Sequence, residues 1–291
     1  MKIAVIGGSG FLGKEIVKLL ESQENEVACL HRNEHVDCNT ISKFDLFNPE
    51  VLINFLNLFK PEVVIVTAWI TDLEIYKTDS SNQRYQIAIE HLASQLISKM
   101  DFHLLVLGSG AEYGLDVGPC ASDFSNSSGS SPYSKAKIDC LQNLRKIFTD
   151  VNSRLTWLRI FQPYGLNQDI LRLIPSAINH FKENSPFLLK NPNSISDWIT
   201  SRDVAGAVKH CISESTPQIV DVGTGVPTTN KDILNLLRLK MGAPEDLLIL
   251  PTNSRATSLY LDIRNSFLHK AGCIPKDNVS HGLDWILESC Q

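Results

Sequence analysis

The chain has no block of lysine or arginine and no apolar run near the roughly 18 residues that cross a membrane. Its net charge is -5, so it offers no cationic face to a polyanion. Nucleic acid and membrane surfaces are therefore excluded as expected partners. Cysteine is present at 29, 38, 120, 140, 211, 273 and 290, an odd number with no paired, metal-type spacing. Reduced, mostly structural thiols in a cytoplasmic protein are expected, with no metal site. The first apolar run is cut at once by glycines, which reads as a first strand and not a secretory leader. Internal repeats are absent, and the one loose stretch, 122–131, is a Ser/Asn/Gly loop. With 43% hydrophobic residues over 291 positions, the chain can bury a large core as one large domain or two small ones.

What is present begins at the first residues. Positions 3–6 form a short apolar run that Gly7-Gly8-Ser9-Gly10 closes, which predicts a buried strand of a parallel sheet. Beyond the glycines, Phe11, Leu12, Ile16, Leu19 and Leu20 recur at helical spacing to about Ser22. The glycines thus stand where a strand turns into a helix. Gly7, Gly10 and Gly13 are three apart, and so sharp a bend needs residues that tolerate positive φ. Bare backbone there also lets N–H groups approach a pyrophosphate at the helix N-terminus, where the dipole favours negative charge. Further on, 26–30, 63–67, 104–107 and 155–161 read as strands. Residues 48–59, 83–99 and 132–148 read as helices, with Pro49 suited to a first turn and Ile87, Leu92, Leu96 and Ile97 as apolar positions. This alternation predicts an α/β fold with a doubly wound parallel sheet (Rossmann), whose ligands bind outside the carboxyl ends of the strands. After Gly165 the rhythm becomes helix-rich. The expected organisation is a dinucleotide-binding domain over 1–165, a returning segment near 198–223, and a smaller, interleaved substrate lobe over 166–291.

Chemistry concentrates at Tyr133-Ser-Lys-Ala-Lys137. Tyr and Lys four apart lie on one helix face. A phenol is a poor base near neutral pH, its reference pKa being about 10, and a nearby ammonium lowers that value. The pair could then move a proton to or from a substrate oxygen. Ser109 follows a strand's carboxyl end, where it could hold the same oxygen.

The glycine turn, the Gly-Ser-Gly-Ala-Glu-Tyr-Gly segment at 108–114 and the Tyr133/Lys137 pair together resemble the extended short-chain dehydrogenase/reductase family, in its NAD(P)-dependent nucleotide-sugar epimerase, dehydratase and reductase branch. The segments at 159–165, 197–205 and 221–225 and the C-terminal pattern Asp262…Gly272…Pro275…Gly282 extend the likeness over nearly the whole chain. The resemblance implies Tyr133 as catalytic acid/base, Lys137 as its pKa-lowering partner and ribose contact, and Ser109 as the ligand of the reacting oxygen. It implies cofactor contacts from Gly7, Gly10, Phe11, Leu12, Gly13, Asp45, Leu46 and Ala68, and a homodimer through helices near 83–100 and 132–148. Trp69 stands where a second small residue is usual, Tyr85 where Asn is frequent, and Gln162 where Asn contacts a diphosphate. Ser196 stands where many members carry Arg, so Arg172, Arg202 or Arg255 is expected to supply that charge.

NADP(H) is the expected cofactor, with NAD(H) possible. The end of the second strand reads Leu30-His31-Arg32 with no carboxylate for a ribose 2′-OH, and Arg32 could meet a 2′-phosphate. The expected reaction is hydride transfer at C4 of a nucleotide sugar. Gly110 and Ala111 occupy the places that hold Asp-Glu in 4,6-dehydratases and cannot move protons, which argues against dehydration. A 4-keto-6-deoxy-sugar reductase is preferred to a 4-epimerase. A reductase of a non-sugar carbonyl and a non-catalytic NAD(P)-sensing regulator remain as alternatives.

Overall fold

The computed structural model describes residues 1–31, 41–114, 118–120 and 128–289. Its N-terminal half alternates as the apolar runs require: β1 (Lys2–Ile6), α1 (Phe11–Glu21), β2 (Glu26–His31), β3 (Ile41–Lys43), α2 (Pro49–Phe59), β4 (Val63–Val66), α3 (Ser81–Ile97), β5 (His103–Ser109) and, after a 3-10 turn at Gly110–Tyr113, β6 (Gly118–Cys120), α4 (Pro132–Ile147) and β7 (Arg154–Ile160). The remainder runs β8 (Gln162–Tyr164), α5 (Leu173–Lys182), β9 (Phe187–Leu188), β10 (Ile195–Thr200), α6 (Ser201–Ser213), β11 (Ile219–Val222), β12 (Pro227–Thr229), α7 (Asn230–Lys240), β13 (Leu248–Ile249), β14 (Ser258–Leu261), α8 (Phe267–Lys270) and α9 (Val279–Ser289).

Seven strands form one parallel sheet in the order β11-β7-β5-β4-β1-β2-β3. Successive residues of a strand face opposite ways, so each strand feeds two cores. Ala4 and Ile6 join Leu52, Leu92 and Leu141 under α2, α3 and α4. Ile3 and Val5 join Ile16, Leu20 and Val208 under α1 and α6. α3 begins two residues before its expected start, and its buried face is Tyr85, Ala88, Ile89, Leu92, Ala93 and Leu96. Ile87 is 55% exposed, a departure from its expected place on the apolar face.

A second sheet, β12-β10-β14-β6 with β8 also on β10, stands beyond the carboxyl ends of the first. Three of its strands contain a proline (Pro119, Pro163, Pro227). Proline marks strand interruption and is tolerated at edges, which hides such strands from a pattern search. A third core, with Ile178, Trp198, Leu237 and Leu283, holds α5, α7 and α9 against this sheet. Asp197, fully buried on β10, accepts hydrogen bonds from the Thr224 and Gly225 amides, the Thr224 hydroxyl and the Leu261 amide. One carboxylate thereby ties the end of β11 to β14.

The glycine turn is sterically closed. Gly7 has φ +88°, and a Cβ on Gly13 would lie 2.2 Å from the Gly7 carbonyl oxygen. Gly206, within α6, has open space around it. Gly13→Ala is therefore expected to lower the unfolding free energy by about 1–3 kcal/mol, whereas Gly206→Ala raises it by about 0.4–1 kcal/mol. Urea titration of the two variants against wild type checks both signs.

Candidate active site

The strands of the main sheet point their carboxyl ends into one cleft of about 1300 Å³. Ile6-Gly7, Leu30-His31, Thr67-Ala68, Leu107–Ser109 and Ile160-Phe161 form its floor, and β8, β10 and the start of α5 contribute the far wall. At one end, α1 starts with Gly10 as its cap residue and no side chain capping it. The first helical hydrogen bond runs from Lys14 N–H to the Gly10 carbonyl, so the Phe11, Leu12 and Gly13 amides precede the helix's own ladder. All three residues line the cleft. Gly7 permits this approach, because a Cβ there would strike Ala68 N at 2.7 Å and the Thr67 hydroxyl at 2.6 Å. A bare helix N-terminus with unspent amides fits a dinucleotide pyrophosphate.

The other expected cofactor contacts are placed as follows. Asp45 is exposed on the cleft wall, and its Oδ1 accepts the Phe47 amide at 3.0 Å, a local turn. Leu46 is buried beside it, and Ala68 lines the floor. Arg32 lies outside the described residues. His31, at the end of β2, is 4% exposed and borders the cleft.

At the centre stand Ser109, Tyr133 and Lys137. Ser131 caps α4, accepting the Ser134 amide at 3.1 Å, and Pro132 opens its first turn. This brings Tyr133 into the cleft beside Ser109, whose hydroxyl favours the phenolate form. Ser109 is itself held: its N–H donates to Glu112 Oε1 at 2.7 Å and its Oγ accepts the Ala111 amide at 3.2 Å. Desolvation by the cleft walls pushes the phenol pKa up, with the Ser109 hydroxyl and the Arg172 charge opposing. The expectation that Lys137 lowers the Tyr133 pKa is thus corrected. The Lys137 ammonium is held away, donating to the Leu107 carbonyl at 2.6 Å and lying 5.9 Å from the centre of the Tyr133 ring. Burial draws Lys137 down to about 8, with Glu112 and Cys140 opposing.

Glu112 is fully buried. Its carboxylate accepts from Trp157 Nε1 at 3.0 and 3.1 Å and from Arg159 Nε at 2.8 Å. It completes a capping box on Ser109 and is turned from the cleft into the protein.

Of the residues expected to contact substrate, Gln162, Arg172 and Arg255 line the cleft, as does Ser196. Arg172 reaches across it, donating to the Thr71 carbonyl at 3.0 Å with its guanidinium 5.1 Å over the Tyr76 ring. Arg202 does not line the cleft. It is engaged by both Asp277 carboxylate oxygens and lies 4.5 Å over Trp285, because Asp203 accepts the Lys276 and Asp277 amides and holds that segment on the first turn of α6. Tyr76 and Asn82 were not legible as site residues. Tyr76 packs edge-on to Tyr133 at 5.3 Å, a neighbour that only the path of the 71–79 segment supplies. Among the described residues, no group of three or more His, Cys, Asp or Glu could hold a metal ion.

Residues 3–223 match the family described as the NAD dependent epimerase/dehydratase family. The chain belongs to that family. Among curated relatives, the chain is 25% identical to a GDP-6-deoxy-D-talose 4-dehydrogenase from Aggregatibacter actinomycetemcomitans, over 81% of this chain and 79% of the relative. It is 24% identical to a dTDP-6-deoxy-L-talose 4-dehydrogenase (NAD(P)(+)) from Kitasatospora kifunensis, over 86% of this chain and 82% of the relative. In fold it matches UDP-glucose 4-epimerase from Thermotoga maritima with a TM-score of 0.87 at 20% identity, covering 99% of this chain and 98% of that one.

Ser109 thus rests on a buried ion pair. Glu112→Ala is expected to cost about 3–5 kcal/mol of stability, because a buried cation loses a carboxylate partner. Glu112→Gln, which keeps an acceptor for the Ser109 and Trp157 N–H groups, should cost less. Urea-unfolding curves of both variants check the order.

Proposed function

We propose that this chain interconverts the 4-hydroxyl and 4-keto forms of a nucleotide-activated 6-deoxy sugar and works as an NADP(H)-preferring 4-keto reductase. The observation that carries the reading is the convergence of Ser109 and Tyr133 on the cleft at the carboxyl ends of the sheet, with buried Lys137 one helical turn away. The nicotinamide cofactor, when bound, supplies the hydride for C4. Tyr133, kept protonated by its dry surroundings, gives its proton to the C4 oxygen, and Ser109 orients that oxygen. Arg172 is the cation that favours the phenolate that remains, and Lys137 lies 5.9 Å from the centre of its ring. Gln162, Arg172 and Arg255 face the same cleft and suit a nucleoside diphosphate.

Two features favour this reaction over dehydration. Gly110 and Ala111 carry no acid or base, and Glu112 is committed to Arg159 and Trp157. The two curated relatives act, by name, as 6-deoxy-talose 4-dehydrogenases, which is the same C4 exchange. The NADP(H) preference rests on the lack of a carboxylate at 30–32 and on Arg32 following β2.

Tyr133→Phe should lower turnover about 10²–10⁴-fold while NADPH still binds. Near-full turnover would overturn its role. One NADPH should be oxidised per sugar converted, whereas net 4-epimerisation without cofactor consumption would replace the reductase reading with an epimerase. NADPH should bind more tightly than NADH, and equal dissociation constants, unchanged in Arg32→Ala, would remove the preference.

The pH dependence follows from Lys137. Its ammonium is present below about 8 and lost above it, and with it the charged donor proposed to hold the nicotinamide ribose in place. Tyr133 stays protonated over the same range. Reduction should therefore slow as pH rises through about 8, as measured by initial rates at saturating NADPH.

A further inference from the structure

We propose that Trp69 is a positioning residue for the Tyr133–Lys137 pair: its indole face receives the Lys137 ammonium, and Asn82 locks the ring in that place. The inference rests on the reading of Tyr133 and Lys137 as the proton-transfer pair. Lys137 Nζ lies 3.7 Å from the centre of the Trp69 ring, well inside the range in which a ring quadrupole attracts a cation. Lys137 is 3% exposed, and Leu107 O is its hydrogen-bond acceptor among the described residues. A buried ammonium with one acceptor needs further compensation. The indole face supplies it without competing for a proton.

The ring is fixed by more than packing. Trp69 Nε1 donates to Asn82 Oδ1 at 2.8 Å, and Tyr85 stacks on the indole at 5.7 Å. Asn82 is 2% exposed, and its Nδ2 donates to the Tyr76 carbonyl at 2.7 Å and the Asp79 carbonyl at 2.9 Å. One amide thus sets both the Trp69 ring and the segment that carries Tyr76. The two rings bracket Tyr133 edge-on, Trp69 at 6.4 Å and Tyr76 at 5.3 Å. The groups facing Lys137 are Glu112 from the 3-10 turn, Tyr133 and Cys140 from its own helix, the Trp157 ring at 5.7 Å from β7 and the Leu107 carbonyl from β5. Trp69 is the closest ring, and its side chain has no titration of its own.

The test reads Lys137 directly in the free protein. Lysines are labelled with ¹³C at Cε, and the Lys137 signal is assigned by its loss in Lys137→Arg. In wild type, the Cε protons should be shifted upfield by the indole ring current and should titrate near the midpoint of about 8. Trp69→Leu should abolish the upfield shift and move the midpoint down by about one pH unit, and the alkaline limb of turnover should move with it. Trp69→Phe keeps a ring face and should stay near wild type in both readouts. An unshifted wild-type signal would overturn the proposal without any Trp69 variant having to fold. A midpoint unchanged in folded Trp69→Leu would also overturn it and reduce the indole to filler. Full turnover in Tyr133→Phe would remove the reaction assigned above and leave the lysine titration standing, so the two failures are separable.

Discussion

The carboxylate of Glu112 sits beneath the point where β5 ends, and the geometry of the centre hangs from it. It accepts the Ser109 N–H, the Trp157 indole N–H and the Arg159 guanidinium, so it joins the ends of β5 and β7 through side chains as well as through the ladder. Gly108 is part of the same constraint. A Cβ there would lie 2.1 Å from Trp157 Nε1 and 2.6 Å from Glu112 Oε1. The network continues across the sheet, since Asp221 pairs in register with Arg159 and accepts the Tyr113 hydroxyl at 2.8 Å. A buried ion pair is a poor source of net stability, because desolvation offsets its attraction. What it contributes is position: the Ser109 hydroxyl is held where the Tyr133 phenol can reach it.

Around this fixed floor the walls come from distant parts of the chain. The 71–79 segment follows β4, and Arg172 precedes α5, yet the two meet through Thr71 and Tyr76. Asp197 does for the second sheet what Glu112 does for the first, gathering amides from the 224–225 turn and from β14, all more than twenty residues away. Each cluster is a single carboxylate with its acceptor positions filled by fixed donors. That economy suits buried charge, which is tolerable only when fully hydrogen-bonded.

Much of the plan was legible beforehand because it is carried by local pattern. The run at 3–6, the glycines and the following helical spacing specify a strand, a turn and a helix, and they form β1 and α1. The pairing of Tyr133 and Lys137 on one helix face follows from four-residue spacing. What failed were inferences that needed a partner from elsewhere. Arg202 reads as a candidate substrate residue because charge is visible in sequence, whereas the Asp277 that engages it stands 75 residues later. Four-residue spacing predicts that Lys137 acts on Tyr133. Burial of both groups, and the competing Leu107 carbonyl, decide it otherwise. The small sheet is not legible in the sequence, because its prolines look like interruptions until edge positions are known.

The sequence by itself determined the strand–helix alternation, the glycine turn and the three side chains at the centre, since each depends on residues within a few positions of one another. The tertiary structure alone decided which charges face the cleft, which way Lys137 points and what surrounds Tyr133. Those outcomes are set by desolvation and by contacts across large separations: Trp69 with Lys137, Glu112 with Arg159, Arg172 with Thr71. Electrostatic effects of that kind scale with burial and distance, and neither quantity exists until the chain has folded.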